Sequence, residues 1–170
     1  GIVRLGLSDT DDIGAISQEV VSLGSQALGH PADDRILIEQ MADGLIAELL
    51  VGIQNDRHFG LVMTIAGGGT LVELMADSAT VLLPAEPQDL ANALSTLKVM
   101  KLLSGYRGRA QADLDELVQT LMKIAAMALA LADTLIDMDI NPLWVTEHGC
   151  IAVDALIRLG DIDALPAHLR

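Results

Sequence analysis

The sequence predicts an α+β fold. Three features carry that expectation: apolar runs with two-residue alternation gather into sheet-forming segments, a few longer segments repeat apolar residues every three or four positions, and the two kinds do not alternate strictly. Without strict strand–helix alternation, a doubly wound parallel sheet that binds dinucleotides is not expected.

Val3 to Leu7 alternates as a short strand. Ser8, Asp9, Asp11 and Asp12 then offer side-chain oxygens and negative charge to the free amides of a helix start. Ile13, Ile16, Val20, Leu23 and Ala27 step by three and four through that helix, and Gly29 followed by Pro31 stops it. Ile36 to Met41 and Leu45 to Ile53 read as two strands joined through the turn Ala42-Asp43-Gly44. Phe59 to Ala66 is a third strand ended by Gly67-Gly68-Gly69, with Leu71 to Met75 and Thr80 to Leu83 as further strands. Pro87 suits the first turn of a helix that carries Leu90, Leu94 and Leu97 on one face. Asp113 with Glu116 resembles a capping box ahead of the stripe Leu114, Leu117, Val118, Leu121, Ile124 and Ala128. Ile136 to Asn141, Leu143 to Thr146 and Cys150 to Ala155 close the sheet, and 160–170 reads as a tail.

The 170 residues, 51% hydrophobic and 20% charged, are enough for one domain with a real core. Aromatic residues are 2%, so base stacking lacks its main tool. The net charge is -14, with Lys98, Lys101 and Lys123 the only lysines against 24 carboxylates, a balance that repels a phosphate backbone. Nucleic acid is therefore excluded as a partner. Cys150 is the single cysteine, which rules out an intrachain disulfide and suits a reducing, cytoplasmic compartment. The longest apolar run, Ile124 to Ala132, falls short of the ~20 residues that span a bilayer, so no membrane association is expected. The chain opens on Gly1 with no basic leader, and the expectation is that it starts inside a longer gene product.

The chemistry-bearing stretch runs from Asp137-Met-Asp-Ile-Asn-Pro-Leu to Asp154. On a strand, Asp137, Asp139 and Asn141 share one face while Met138 and Ile140 enter the core. If Glu147-His148-Gly149 is a hairpin turn, outward pairing sets Thr146 across from Cys150, Trp144 across from Ala152 and Pro142 across from Asp154. Asp154 then lies beside Asn141. An amide oxygen and a carboxylate at adjoining strand ends are hard ligands of the kind magnesium takes along with waters and phosphate oxygens. The same residues also suit a plain Asn-Pro turn and a strand-end carboxylate satisfied by backbone amides. Glu39 and Glu48 each interrupt an apolar strand, and burying an unpaired carboxylate is expensive, so each should face solvent, a partner or a ligand hydroxyl such as a ribose. Gly67-Gly68-Gly69 and Gly105-Tyr-Arg-Gly108 lack the Gly-Lys-Ser/Thr pattern of a phosphate loop, and His148 with Cys150 is too little for zinc.

In order and spacing, Gly1-Ile-Val-Arg-Leu, Ile38-Glu-Gln-Met, Glu48-Leu-Leu-Val-Gly, Asp56-Arg-His-Phe-Gly, Gly67-Gly-Gly, Leu103-Ser-Gly-Tyr-Arg-Gly, Asp139-Ile-Asn-Pro-Leu and Val153-Asp154 form a set. This set resembles the ATP-grasp domain of nucleoside-diphosphate-forming acyl-CoA synthetases, relatives of the succinyl-CoA synthetase beta subunit. The resemblance implies a partial ATP-grasp fold, a mostly antiparallel sheet flanked by helices, over 1–159. Within it, 1–34 would be the remainder of a preceding lobe and 35–159 the nucleotide and magnesium lobe. It implies Asn141 and Asp154 as magnesium ligands, backbone groups of Glu39 and Ala42 at the adenine edge, and Glu48 at the ribose. Mg2+ and ATP or ADP would be the cofactors. The reaction would exchange an acyl-CoA thioester with phosphate, pass the phosphoryl group through a histidine, and deliver it to ADP.

The family's domain begins earlier, with a lobe whose lysines grip the phosphates. The resemblance implies that this stretch lacks that lobe, and the -14 charge offers no positive clamp in its place. The CoA-binding domains and phosphohistidine segment would come from elsewhere in the same chain or from a partner chain, so this chain is expected to be inactive alone. A truncated lobe would also expose an apolar face open to homodimer pairing. Two other classes stand beside this reading: a synthetase-like regulatory module of a protein lysine acetyltransferase, and a purely structural domain.

Overall fold

The computed structural model describes residues 2–8, 11–68 and 77–160, so the expected strand Leu71 to Met75, Gly69 and the tail beyond Gly160 lie outside the described residues. The chain divides into two compact units, Gly1–Ala42 and Asp43–Arg170.

In the first unit, helix α1 (Ile13–Leu28) starts where a capping carboxylate was expected: the Asp12 side chain accepts from the Ala15 N–H at 3.0 Å. It ends at Gly29, whose φ of 73° is left-handed and whose N–H reaches Ser25 O at 3.0 Å. Arg4 pairs with Glu19 on its flank. No residue of α1 is fully buried. Two expected strands fail in this unit: Val3–Leu7 and Ile36–Met41 form none. Alternation marks a face that can be buried, but a strand also needs a hydrogen-bonding neighbour, and neither segment has one among the described residues.

The second unit is a sheet with helices on one face. Its strands are β1 (Ala47–Asp56), β2 (Gly60–Gly67), β3 (Ser78–Leu82), β4 (Leu135–Thr146), β5 (Gly149–Ala152) and β6 (Ala155–Leu159). Every pairing is antiparallel, in the order β3-β2-β1-β4-β5 with β6 also on β4. Between β3 and β4 come α2 (Pro87–Thr96), α3 (Met100–Leu103), a 3-10 turn at Tyr106–Gly108, and α4 (Leu114–Ala130). Pro87 and the Glu86–Asp89 box open α2, and Asp113 caps α4 by accepting from Glu116 N–H at 3.0 Å.

The core is aliphatic, as the scarcity of aromatics required. Alternate residues Leu49, Val51 and Ile53 of β1, Leu61, Met63 and Ile65 of β2, and Met138, Ile140, Leu143 and Val145 of β4 turn inward. They meet Leu90 and Leu94 of α2 and Leu117, Leu121, Ile124, Ala125 and Ala128 of α4. Asp77 is the buried polar exception among the described residues. Its carboxylate accepts the N–H groups of Lys98 and Val99, at 2.6 and 3.0 Å, where α2 gives way to α3. No helix among the described residues is long and apolar enough to cross a membrane.

The sheet departs from expectation in three places. The hairpin through Ala42–Gly44 does not form; β1 starts at Ala47 and pairs with β2 and β4 instead. The segments 136–141 and 143–146 are one continuous strand, and the expected strand 150–155 splits into β5 and β6. Lastly, the β4–β5 turn has two residues, Glu147 and His148, so Thr146 faces Gly149 and not Cys150. Thr146 itself closes that turn: its hydroxyl donates to Gly149 O at 2.9 Å and accepts from His148 N–H at 3.2 Å.

Candidate functional site

Four transverse rows of residues cross the face of the sheet opposite the helices, the first, second and fourth read directly from strand register and the third crossing a register shift between β1 and β4. Arg158, Asp137, Gln54, Val62 and Leu82 make the first row, and Leu156, Asp139, Gly52, Thr64 and Thr80 the second. Asp154, Asn141, Leu50, Ala66 and Ser78 make the third, and Ile151, Trp144 and Glu48 the fourth. Successive rows lie two residues apart along β1, about 7 Å.

The third row contains the irregularity that shapes the site. Leu49 pairs with Leu143 and Val51 with Ile140, so Asn141 and Pro142 together oppose the single residue Leu50. This is a β-bulge on β4, a place that tolerates a proline without a ladder N–H, and bulges re-aim side chains. On the other edge both bulge residues are matched: Val153 N–H donates to Pro142 O at 3.0 Å, and Asn141 N–H donates to Asp154 O at 3.1 Å. Register is therefore unbroken from β5 (Leu143 with Ala152) to β6 (Ile140 with Ala155).

Asn141 and Asp154 are thus brought together, Asn141 being the residue opposite Asp154 where Pro142 had been expected. Their backbone groups bond each other, both residues are exposed, and neither side chain hydrogen-bonds to any described residue. Two hard oxygen donors without a competing partner fit a magnesium ion that completes its shell with waters and phosphate oxygens. No group of three or more His, Cys, Asp or Glu residues able to hold a metal exists among the described residues.

Glu48 is half-buried, directly across from Trp144 on the same face. Its carbonyl accepts the N–H of Gly68 at 2.6 Å, and a Cβ at position 68 would lie 2.7 Å from the Glu48 Cβ, so only glycine fits there. Trp144 Nε1 is buried without a hydrogen-bond partner among the described residues, a feature that no local sequence pattern announces. Glu39 is exposed and Ala42 half-exposed, both in the first unit. Gly105–Gly108 forms the turn between α3 and α4.

The first and second rows line an open concavity of about 770 Å³ with Asp56 and Phe59 at its margin. Here Arg158 of β6, a strand that went unread in the sequence, grips Asp137 with two nitrogens, its Nε lying 2.8 and 3.0 Å from the two carboxylate oxygens. The Asp137 carboxylate raises the pKa of that guanidinium further. Asp139 lies between Gly52 and Leu156 and has no such partner among the described residues. Cys150, at the far edge, has its thiol pKa pushed up, chiefly by burial.

Known proteins resemble this chain in sequence and in fold. Residues 1–159 match the ATP-grasp domain family. The acetate–CoA ligase [ADP-forming] II of Archaeoglobus fulgidus is 30% identical over 162 residues, covering 95% of this chain and 22% of that protein. The beta subunit of the Pyrococcus furiosus acetate–CoA ligase [ADP-forming] II is 31% identical over 114 residues, 66% of this chain and 48% of that subunit. The chain thus spans between about a fifth and a half of these relatives. Among solved structures, the dinucleotide-forming acetyl-coenzyme A synthetase 1 of Ca. Korarchaeum cryptofilum, in complex with coenzyme A and Mg-AMPPCP, shares the fold with a TM-score of 0.76 at 24% identity. That match covers 92% of this chain and 67% of the other. A second structure of the same enzyme, with coenzyme A, Ca-AMPCP and HgCl+, is 26% identical with a TM-score of 0.73, covering 86% and 63%. With its antiparallel sheet, one-sided helices and a family match over nearly its whole length, the chain belongs to the ATP-grasp domain family.

Proposed function

We propose that this chain is the magnesium and nucleotide seat of an ADP-forming acyl-CoA synthetase, acting as part of a longer protein. That protein would interconvert acyl-CoA, ADP and phosphate with acid, CoA and ATP through a phosphohistidine. The observation that carries the reading is the Asn141–Asp154 pair: two exposed oxygen donors joined by backbone at a bulge, in a chain of this family. Acetate–CoA ligases among its relatives support the reaction class.

In this reading Asn141 and Asp154 hold the ion, Glu48 hydrogen-bonds the ribose one row away, and backbone groups of Glu39 and Ala42 meet the adenine edge. A magnesium ion held by Asn141 and Asp154 would supply positive charge to offset that of the phosphates. The division into 1–34 as the end of a preceding lobe and 35–159 as the nucleotide lobe belongs to the same proposal, as do the CoA-binding domains as partners in the same or another chain. The chain by itself would not turn over.

The test is calorimetry of Mg·ADP binding to the full-length protein with and without EDTA, paired with an assay for ATP formation from acetyl-CoA, ADP and phosphate. Metal-dependent binding together with phosphate-dependent ATP formation is expected; nucleotide binding that ignores EDTA would contradict the metal assignment.

A further inference from the structure

A polyphosphate needs positive charge, and the composition of this chain, 10 basic residues against 24 acidic ones, offers little. The fold nevertheless puts a cation on the relevant face. Among the described residues lining the concavity of the first two rows, Arg158 is the only basic one, and it shares that lining with Asp56, Asp137 and Asp139.

Its place is set by register and not by loop geometry. Asp154, Leu156 and Arg158 alternate on one face beside Asn141, Asp139 and Asp137. The reading above, on which this inference rests, sets the ribose at the fourth row and the metal at the third. The phosphate chain then runs toward the second row, where Gly52 has no side chain to obstruct it and Asp139 presents like charge. The next row carries Arg158, about 7 Å further on a long flexible stem.

We propose that Arg158 is the group that receives the terminal phosphate of the bound nucleotide, and that Asp137 holds it in reserve until the phosphate competes for it. The guanidinium fork matches a phosphate as well as a carboxylate, so one bidentate pair can replace another without a change of geometry. Asp137 is then a competitor of the nucleotide. Its partner role predicts opposite signs for the two substitutions, which a merely structural ion pair would not give.

The experiment is calorimetry on the full-length protein with Mg·ADP and Mg·AMP, for the unsubstituted form, Arg158→Gln, Arg158→Lys and Asp137→Asn, each checked by circular dichroism. Arg158→Gln should weaken Mg·ADP by about tenfold or more while leaving Mg·AMP unchanged. Arg158→Lys should recover part of the loss, and Asp137→Asn should tighten Mg·ADP. If Arg158→Gln weakens both nucleotides equally, or if both substitutions weaken Mg·ADP, the pair serves the fold and the proposal is overturned. Unchanged Mg·ADP binding in Arg158→Gln overturns it too, with the nucleotide reading left standing. Failure of the unsubstituted protein to bind either nucleotide overturns both.

Discussion

Asn141 donates its backbone N–H to the carbonyl of Asp154 at 3.1 Å, so two residues 13 positions apart are locked edge to edge while their side chains stay uncommitted. Asp154→Asn therefore removes a charge without touching the ladder. In the full-length protein, magnesium-dependent turnover should fall by at least a hundredfold, about 3 kcal/mol of lost charge stabilisation, with an unchanged circular dichroism spectrum. Turnover within a few-fold of the unsubstituted enzyme would remove Asp154 from the metal.

Gly68→Ala tests the approach of β2 to Glu48. The added carbon would sit 2.7 Å from Glu48 Cβ and 2.8 Å from its backbone, where nothing can yield cheaply. A loss of about 1–3 kcal/mol is expected, read as a lower urea midpoint, and a raised KM for nucleotide should accompany it if Glu48 meets the ribose.

Asp77→Ala strips the acceptor from two backbone N–H groups at the α2–α3 junction. Stability should drop by about 1–3 kcal/mol. Hydrogen exchange at Lys98 and Val99 should quicken before exchange in α4 does, and a uniform change over the unit would argue against a local anchor.

Asp56 makes the β1–β2 turn acid-sensitive. Its carboxylate accepts from His58 and Phe59 N–H at 2.7 and 2.9 Å, and these bonds hold its pKa below the ordinary 3.8. A depressed folded-state pKa stabilises above the unfolded value and loses that stabilisation as pH falls through the folded one. The turn should therefore be at full strength above about pH 4 and weaken below it. Asp56→Ala should show less loss between pH 4 and pH 2 in thermal melts than the unsubstituted chain.

Much of this was legible in residues whose signal is local. The capped starts at Asp12 and Asp113, the stop at Gly29 and the Pro87 helix are all one-turn chemistry, and all stand where they were read. What the sequence concealed depends on neighbours. Val3–Leu7 and Ile36–Met41 carry strand patterns but no ladder among the described residues, and Ala155–Leu159 is a strand because the twelve-residue β4 has room beyond β5 for a second partner along the same edge. Asn-Pro looked like a turn signal and is a bulge within a strand, since Leu50 across the sheet absorbs both residues. The meeting of Asn141 with Asp154 was anticipated despite a one-residue slip in the hairpin, but Arg158 opposite Asp137 was out of view with β6 unread.

The bulge on β4 also imposes a phase. Asn141 and Pro142 are matched by Val153 and Asp154, two residues against two. Losing either Val153 or Asp154 would leave one residue to bridge Ala152 and Ala155, advancing β6 by a single step and turning Leu156 and Arg158 from the concave face toward the helices. Chain length can drift at the Glu147–His148 tip at little cost, but between β5 and β6 it is quantised in pairs.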